Sequence, residues 1–142
     1  MPVKPIPDGY HSVTPYLMVK DGAKMLEFLK RGLGAEQTYR HDLPNGRVMH
    51  AEVRIGDSPV MIGEGGEKFP PMPCMLYLYV LDCDVAYQRA LAAGAKSVRE
   101  PADQFYGDRS GGVVDHEGNQ WWFGTHVEDV SPEEMERRTP KR

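Results

Sequence analysis

The sequence predicts an α+β protein built from two copies of one βαβββ module. Three pairs of similar segments support this class, because they recur in the same order at offsets of about 60 residues. The pairs are PYLMVKD (15–21) with LYLYVLD (76–82), LGAEQTYR (33–40) with AAGAKSVRE (92–100), and GDSPVMIGE (56–64) with EGNQWWFGT (117–125). At 142 residues we therefore expect a single domain, with modules at about 13–64 and 75–126.

Each module is expected to begin with a short strand, followed by an acidic turn and an amphipathic helix. Asp21, and Asp82 or Asp84, are typical helix N-cap residues. The predicted apolar stripes comprise Met25, Leu26, Phe28, Leu29 and Leu33 in the first helix, and Val85, Ala90 and Leu91 in the second. Three strand-like segments complete each module, and SPEEMERR predicts a short C-terminal helix at about 131–138.

Composition and charge exclude several classes of partner. The net charge is −4, and no Lys/Arg cluster occurs outside the last few residues, which argues against nucleic acid. No apolar run approaches the roughly 20 residues of a membrane span, and the N-terminal MPVKPIPDGYHS lacks the apolar core of a signal peptide. Cys74 and Cys83 form no CxxC motif. These features predict a cytoplasmic protein that binds neither nucleic acid nor membranes.

Strand alternation predicts which side chains face a concave, pocket-bearing side. In VMHAEVRIG the helix-facing set is Met49, Ala51, Val53 and Ile55, and the concave set is Val48, His50, Glu52 and Arg54. The first strands add Thr14, Tyr16, Met18, Met75, Tyr77 and Tyr79 to the concave set. Aromatic rings, methionines and a few ionisable groups are typical of a small-molecule site. A solvated sheet face, a filled core or a dimer interface would also accommodate these residues.

The chain resembles the vicinal oxygen chelate (VOC) superfamily of glyoxalase, dioxygenase and bleomycin-resistance proteins, and within it the PhnB-like branch. The resemblance lies in GYHSVTPYLMV, GRVMHAEVRIGDSPVMIGE, PADQFYGDR and DHEGNQWWFGTHVEDVSPEEM, and it extends from about Gly9 to Met135. It implies two modules whose sheets curl into an incomplete barrel around a cleft, and it implies a homodimer.

The resemblance also implies four positions for a divalent metal, normally occupied by His or Glu. Here these positions carry Thr14, Met61 or Ile62, Met75 and Trp122. Only a hydroxyl remains among groups that are otherwise apolar or soft, so we expect no metal and no other cofactor. His11, His50, Glu52 and Glu64 are the nearest possible substitutes, but three converging groups are needed for a site.

Two functional hypotheses follow, and a purely structural protein is a third possibility. The first is a metal-free, bleomycin-resistance-type binding protein for a small, aromatic or cationic ligand. Its candidate ligand-binding residues are Tyr16, Met18, Arg54, Met75, Tyr77, Tyr79, Phe105, Tyr106 and Trp122. The second is a glyoxalase-like lyase or isomerase with His50, Glu52 and Arg109 as catalytic residues. For Asp108 and Arg109 the alternative is a turn aspartate and an arginine whose ion pair fixes the loop.

Overall fold

The computed structural model describes residues 2–140 and confirms the predicted α+β class with two βαβββ modules. The chain divides into two compact units, Met1–Cys74 and Met75–Arg142. The elements of the first unit are β1 (Tyr16–Val19), α1 (Gly22–Leu33), β2 (Glu36–Asp42), β3 (Val48–Ile55) and β4 (Ser58–Glu64). The elements of the second unit are β5 (Met75–Tyr79), α2 (Cys83–Ala92), β6 (Lys96–Asp103), β7 (Asp108–Val114), β8 (Gln120–His126) and α3 (Pro132–Arg138).

Each unit contains one four-stranded mixed sheet with the same strand order. The orders are β1-β4-β3-β2 and β5-β8-β7-β6, with the first two strands parallel and the others antiparallel. Tyr16 pairs with Met61 in the first sheet, and Tyr77 pairs with Trp122 in the second. The register therefore makes Met61, rather than Ile62, the counterpart of Trp122.

Helix α1 begins and ends where its sequence predicts. The Asp21 side chain accepts a hydrogen bond from the Lys24 amide at 3.0 Å, and Gly34 ends the helix with a left-handed φ of 67°. Met25, Leu26, Phe28 and Leu29 of the predicted stripe are buried, and Leu33 at the end of the helix is half-buried. This stripe fixes α1 on one face of its sheet.

The predicted apolar stripe of α2 is wrong at Val85, which is 64% exposed. The predicted Ala90 is buried and Leu91 is half-buried, and Ala90 shares the buried face with Cys83 and Tyr87, at spacings of i, i+4 and i+7. Tyr87 tolerates burial because its hydroxyl donates to Ser97 Oγ at 2.6 Å. Cys83 and Tyr87 thus form part of the buried face of α2, where the sequence predicts the aliphatic Val85.

The predicted faces of β3 are wrong at its first two residues. Val48 is buried and lies against Gly22 at the start of α1, whereas Met49 is 55% exposed. The cause is a β-bulge: His41 pairs with His50, but the next residue, Asp42, pairs with Val48, so Met49 is the extra residue. After the bulge the alternation holds, with Ala51 and Val53 buried.

None of the helices within residues 2–140 is both long and apolar enough to cross a membrane.

Candidate functional site

A cavity of about 470 Å³ lies in the first unit, where the N-terminal segment covers part of the sheet. Its lining residues are Pro5, Ile6, Pro7, Tyr10, His11, Ser12, Thr14, Glu52 and Met61. The prolines, Ile6 and Met61 provide apolar walls. Glu52 provides the only carboxylate among the lining residues, on a side chain that is 16% exposed. The cavity is open to solvent, since Pro5, Ile6 and Pro7 are exposed, and its volume is within the usual range of small-molecule sites.

A chain of four side chains extends from this cavity across the sheet. The Tyr10 hydroxyl donates to Glu52 Oε1, and Glu52 Oε2 lies 2.8 Å from His50 Nε2. His50 Nδ1 lies 3.2 Å from the Tyr16 hydroxyl. With its proton on Nε2, His50 donates to Glu52 and accepts from Tyr16. The arrangement could move a proton between Tyr16 and Glu52.

Strand geometry explains why His50 and Glu52 meet. They are two residues apart on β3, after the Met49 bulge, so both point to the sheet face opposite α1. Glu52 pairs directly with Met61 on β4, which places both side chains at the cavity. Tyr16 on β1 is next to Met61 on the other side and lies over Gly63, which has no Cβ to obstruct its ring.

The corresponding face of the second unit is filled by Trp122. Gly112 is the strand partner of Trp122, and a Cβ at Gly112 would lie 2.6 Å from indole Cδ2. The Arg99 guanidinium carbon lies over the indole, 4.8 Å from the ring centroid. Arg99 Nη2 also donates to the fully buried Ser110 Oγ at 2.7 Å. The indole is therefore bounded by a glycine backbone and a guanidinium.

A buried carboxylate connects the remaining polar groups of this second face. The Tyr77 and Tyr79 hydroxyls each donate to Asp108 Oδ2 at 2.9 Å, and His126 Nδ1 lies 2.9 Å from Asp108 Oδ1. Burial alone would raise the pKa of Asp108, but the hydrogen bonds from His126, Tyr77 and Tyr79 outweigh it and lower that pKa. The carboxylates of Asp108 and Asp129 raise the pKa of His126.

The same cluster acts on its tyrosines. Burial, together with the hydrogen bond to Asp108, raises the pKa of Tyr77, and the bond to Asp108 also raises the pKa of Tyr79. Both hydroxyls therefore remain protonated donors at neutral pH. On the second face these polar groups are thus hydrogen-bonded to one another, while the Tyr77 and Tyr79 rings remain exposed.

Comparison with known proteins identifies the family. The family model of the Glyoxalase/Bleomycin resistance protein/Dioxygenase superfamily matches residues 9–123. The chain belongs to this superfamily. An uncharacterised Mycobacterium bovis protein is 34% identical over 136 residues, which cover 88% of this chain and 90% of that protein. An uncharacterised Mycobacterium tuberculosis protein is also 34% identical, over 88% of this chain and 80% of its own length.

Solved structures of the superfamily share the fold. TioX from Micromonospora sp. ML1 is 27% identical, with a TM-score of 0.72 over 82% of this chain and 99% of that chain. The fosfomycin resistance protein FosX from Listeria monocytogenes, solved with Mn(II) and sulfate, is 19% identical, with a TM-score of 0.63. That match covers 90% of this chain and 96% of FosX, and it shows the fold alone.

The superfamily metal does not fit the residues present. Thr14 Oγ1 donates to the His11 carbonyl at 3.4 Å, Met61 supplies a thioether, Met75 is 63% exposed, and Trp122 supplies an indole. Hard divalent cations require carboxylate, carbonyl or water oxygens, and zinc requires imidazole, thiolate or carboxylate. Within residues 2–140, no three His, Cys, Asp or Glu side chains cluster as metal ligands would.

The structure places the predicted site residues in different environments. His50 and Glu52 are hydrogen-bonded in the first unit, whereas Arg109 is paired with Asp84 at 2.8 Å and with Asp103 at 3.3 Å in the second. These ion pairs support the loop-fixing alternative for Arg109.

Other predicted ligand contacts lie at the edges of these clusters. Met18 forms an isolated antiparallel β-bridge with Met72 through its backbone. Arg54 is exposed near the end of β3. The rings of Phe105 and Tyr106 lie edge to face at 5.3 Å, and the Tyr106 hydroxyl lies 3.2 Å from Ser110 Oγ.

Sequence reasoning missed Tyr10, Arg99 and His126 as site residues. Tyr10 lies in a proline-rich segment without strand alternation, so no periodic pattern points to Glu52, 42 residues later. Arg99 could have been found, since the repeat aligns it with Tyr39, and these residues pair with Gly112 and Glu52, respectively. His126 is the last residue of β8, and only the β7–β8 register places it opposite Asp108.

Proposed function

We propose that this superfamily member is a metal-free binding protein whose small-molecule ligand occupies the cavity of the first unit. The observation that carries the proposal is the half-buried Glu52 carboxylate at a mainly apolar cavity of about 470 Å³. Apolar walls with a few convergent polar groups are typical of ligand sites, and they provide affinity and orientation, respectively. A carboxylate there favours a cationic or hydrogen-bond-donating ligand, in agreement with the net charge of −4.

Further contacts are proposed separately for each unit. Tyr16, Met18 and Arg54 belong to the cavity-bearing face of the first unit and are proposed to contact the ligand there. On the second unit, Met75, Tyr77, Tyr79, Phe105, Tyr106 and Trp122 remain candidate contacts for an aromatic or cationic molecule. Among these, Tyr79 offers the most accessible ring, since it is 68% exposed.

Filling the cavity tests the binding function. Ligands are first selected from a panel of small amines, aromatic compounds and antibiotics by thermal shift and measured by calorimetry. Met61→Trp places an indole in the cavity and should abolish binding of the selected ligand. Met49→Trp is the matched control, because Met49 is 55% exposed at the bulge and does not line the cavity. Equal affinities of Met61→Trp and the unaltered protein would refute the proposal.

A second candidate function is a lyase or isomerase that uses acid–base chemistry. It is favoured by the 2.8 Å contact between His50 Nε2 and Glu52 Oε2, beside the cavity and flanked by two tyrosine hydroxyls. Glu52 would accept a substrate proton, and His50 would stabilise or relay it. Turnover of a carbonyl-containing substrate that is lost in His50→Ala but kept in Met49→Ala, at an exposed position outside the cavity, would support this enzyme. Full turnover in His50→Ala would exclude it.

The proposal also includes the PhnB-like branch, a homodimer and a cytoplasmic location. The branch is supported by the long ordered segments of the resemblance, and the location by the small number of cysteines, Cys74 and Cys83. Light scattering should give twice the 16.0 kDa chain mass. A mass of one chain at micromolar concentration would contradict the dimer.

A further inference from the structure

We propose that the ligand carries a protonated amine bearing N–H groups, which binds by replacing the Tyr10 hydroxyl as the donor to Glu52. This inference rests on the proposed function, because it concerns the same cavity. It adds the chemical class of the ligand, and it assigns to Tyr10 the role of donating to Glu52 until the amine replaces it. The argument depends on the partners of Glu52, on the attachment of the N-terminal segment and on the geometry of hydrogen bonding.

Glu52 has an incomplete set of partners for a half-buried carboxylate. Within residues 2–140 it forms no ion pair with a lysine or arginine, and its side-chain partners are the Tyr10 hydroxyl and His50. By contrast, Glu64 at the end of the next strand is paired with Arg47 and also accepts from the Gly22 amide at 2.9 Å. A half-buried carboxylate forms its shortest and strongest hydrogen bonds with charged donors. Glu52 can therefore still bind a cation, whereas Glu64 is already paired with one, Arg47.

Tyr10 is the exchangeable partner of the two. His50 is fixed on β3 beside Glu52, whereas Tyr10 belongs to residues 2–12, of which all but Tyr10 are exposed. The Tyr10–Glu52 bond joins this exposed segment to β3. The segment also contains an internal ion pair, Lys4 with Asp8 at 2.7 Å, and its His11 carbonyl accepts from the Thr14 hydroxyl just beyond it. Breaking this one bond therefore lets the Tyr10 side chain give up its place on Glu52 to another donor, while the rest of the segment still lines the cavity.

An ammonium group would compete well for this position. A charged donor adds Coulomb attraction to the hydrogen bond that a neutral hydroxyl also forms with a carboxylate. The Tyr10 site accepts one donor at Glu52 Oε1, so a group with N–H bonds can occupy it, whereas a quaternary ammonium cannot donate. The apolar lining from Pro5, Pro7 and Met61 suits a hydrocarbon group attached to the amine.

Three probes with the same ring separate these features: benzylammonium, benzyltrimethylammonium and benzyl alcohol. Calorimetry on the full chain at pH 7 should show benzylammonium binding at least about tenfold more tightly than the other two. Glu52→Gln should remove that preference. Tyr10→Phe should tighten benzylammonium binding by about fivefold, since one neutral hydrogen bond no longer competes. Tyr87→Phe is the matched control, with no expected change, because the Tyr87 hydroxyl bonds Ser97 in the other unit and lines no proposed site.

The outcomes distinguish this inference from the binding function. Equal affinity for benzylammonium and benzyl alcohol, or unchanged affinity of Tyr10→Phe for benzylammonium, would overturn the proposal that an amine replaces Tyr10. If ligands selected from the wider panel were nevertheless blocked by Met61→Trp, the cavity function would stand. If no ligand were affected by Met61→Trp, both would fail. Tighter benzyltrimethylammonium than benzylammonium binding would also overturn the inference, because it would indicate recognition by aromatic faces.

Discussion

At equivalent positions of their sheets, the first unit has an open cavity and the second has a space filled by a side chain. In the first, strand partners Glu52 and Met61 border a cavity; in the second, partners Gly112 and Trp122 fill the space with an indole. The tyrosine before each pair occupies the same place, since Tyr16 lies over Gly63 and Tyr77 lies over Gly124. The backbone is thus repeated in the two units, while the side chains leave an open volume in the first and fill it in the second.

The difference shows how one repeated module can provide both a site and a stable framework. In the second unit the main polar groups bond to one another: Arg99 to Ser110, and two tyrosines and His126 to Asp108. In the first unit, Glu52 retains only neutral or titratable partners beside an open volume. Substitutions should therefore affect mainly stability in the second unit and mainly binding in the first.

Gly112→Ala should cause the largest effect on stability. Its Cβ would lie 2.6 Å from the indole of Trp122, whose displacement would also remove the contact with Arg99. Overpacking of this kind costs about 3 kcal/mol at the upper end of its usual range. Urea denaturation measures the change. Gly66→Ala is the control, because its Cβ would meet no atom within 4 Å. Equal stabilities of the two variants would show that the indole position is not tightly filled.

Asp108→Asn should have the next largest effect, and the effect should depend on pH. An amide cannot accept from all three donors, so we expect a loss of about 2 kcal/mol at pH 7. The lowered pKa of Asp108 means that its contribution is present above its ordinary value of 3.8 and is lost as pH falls through the lowered value. The stability difference between the unaltered protein and the variant should therefore shrink at acid pH. A difference independent of pH would indicate that shape, rather than charge, matters at Asp108.

The repeat made much of this comparison predictable from the sequence. The 61-residue offset between Tyr16 and Tyr77 also relates Met61 to Trp122. The strand registers pair Tyr16 with Met61 in the first sheet and Tyr77 with Trp122 in the second. Alternation on β3 correctly grouped His50 with Glu52, because it is a local property of any extended strand.

Other features could not be predicted because they depend on tertiary contacts. The Met49 bulge shifts Val48 into the core, and no glycine or turn signal marks it in the sequence. The Tyr10–Glu52 bond joins residues that are 42 positions apart across an irregular segment. Filling by Trp122 required knowing that Gly112 is its strand partner, which is a matter of register rather than of composition.

The smallest expected difference is between the two equivalent tyrosines. Tyr77→Phe removes a 2.9 Å hydrogen bond to the charged Asp108, and we expect a loss of about 1 kcal/mol. Tyr16→Phe removes a 3.2 Å contact with His50 from a ring that is 46% exposed, so the loss should be below about 0.5 kcal/mol. Paired urea denaturation curves measure both. A greater loss for Tyr16→Phe would mean that the first unit's hydrogen-bond chain also stabilises the fold, and the division between a site-bearing and a stabilising unit would no longer hold.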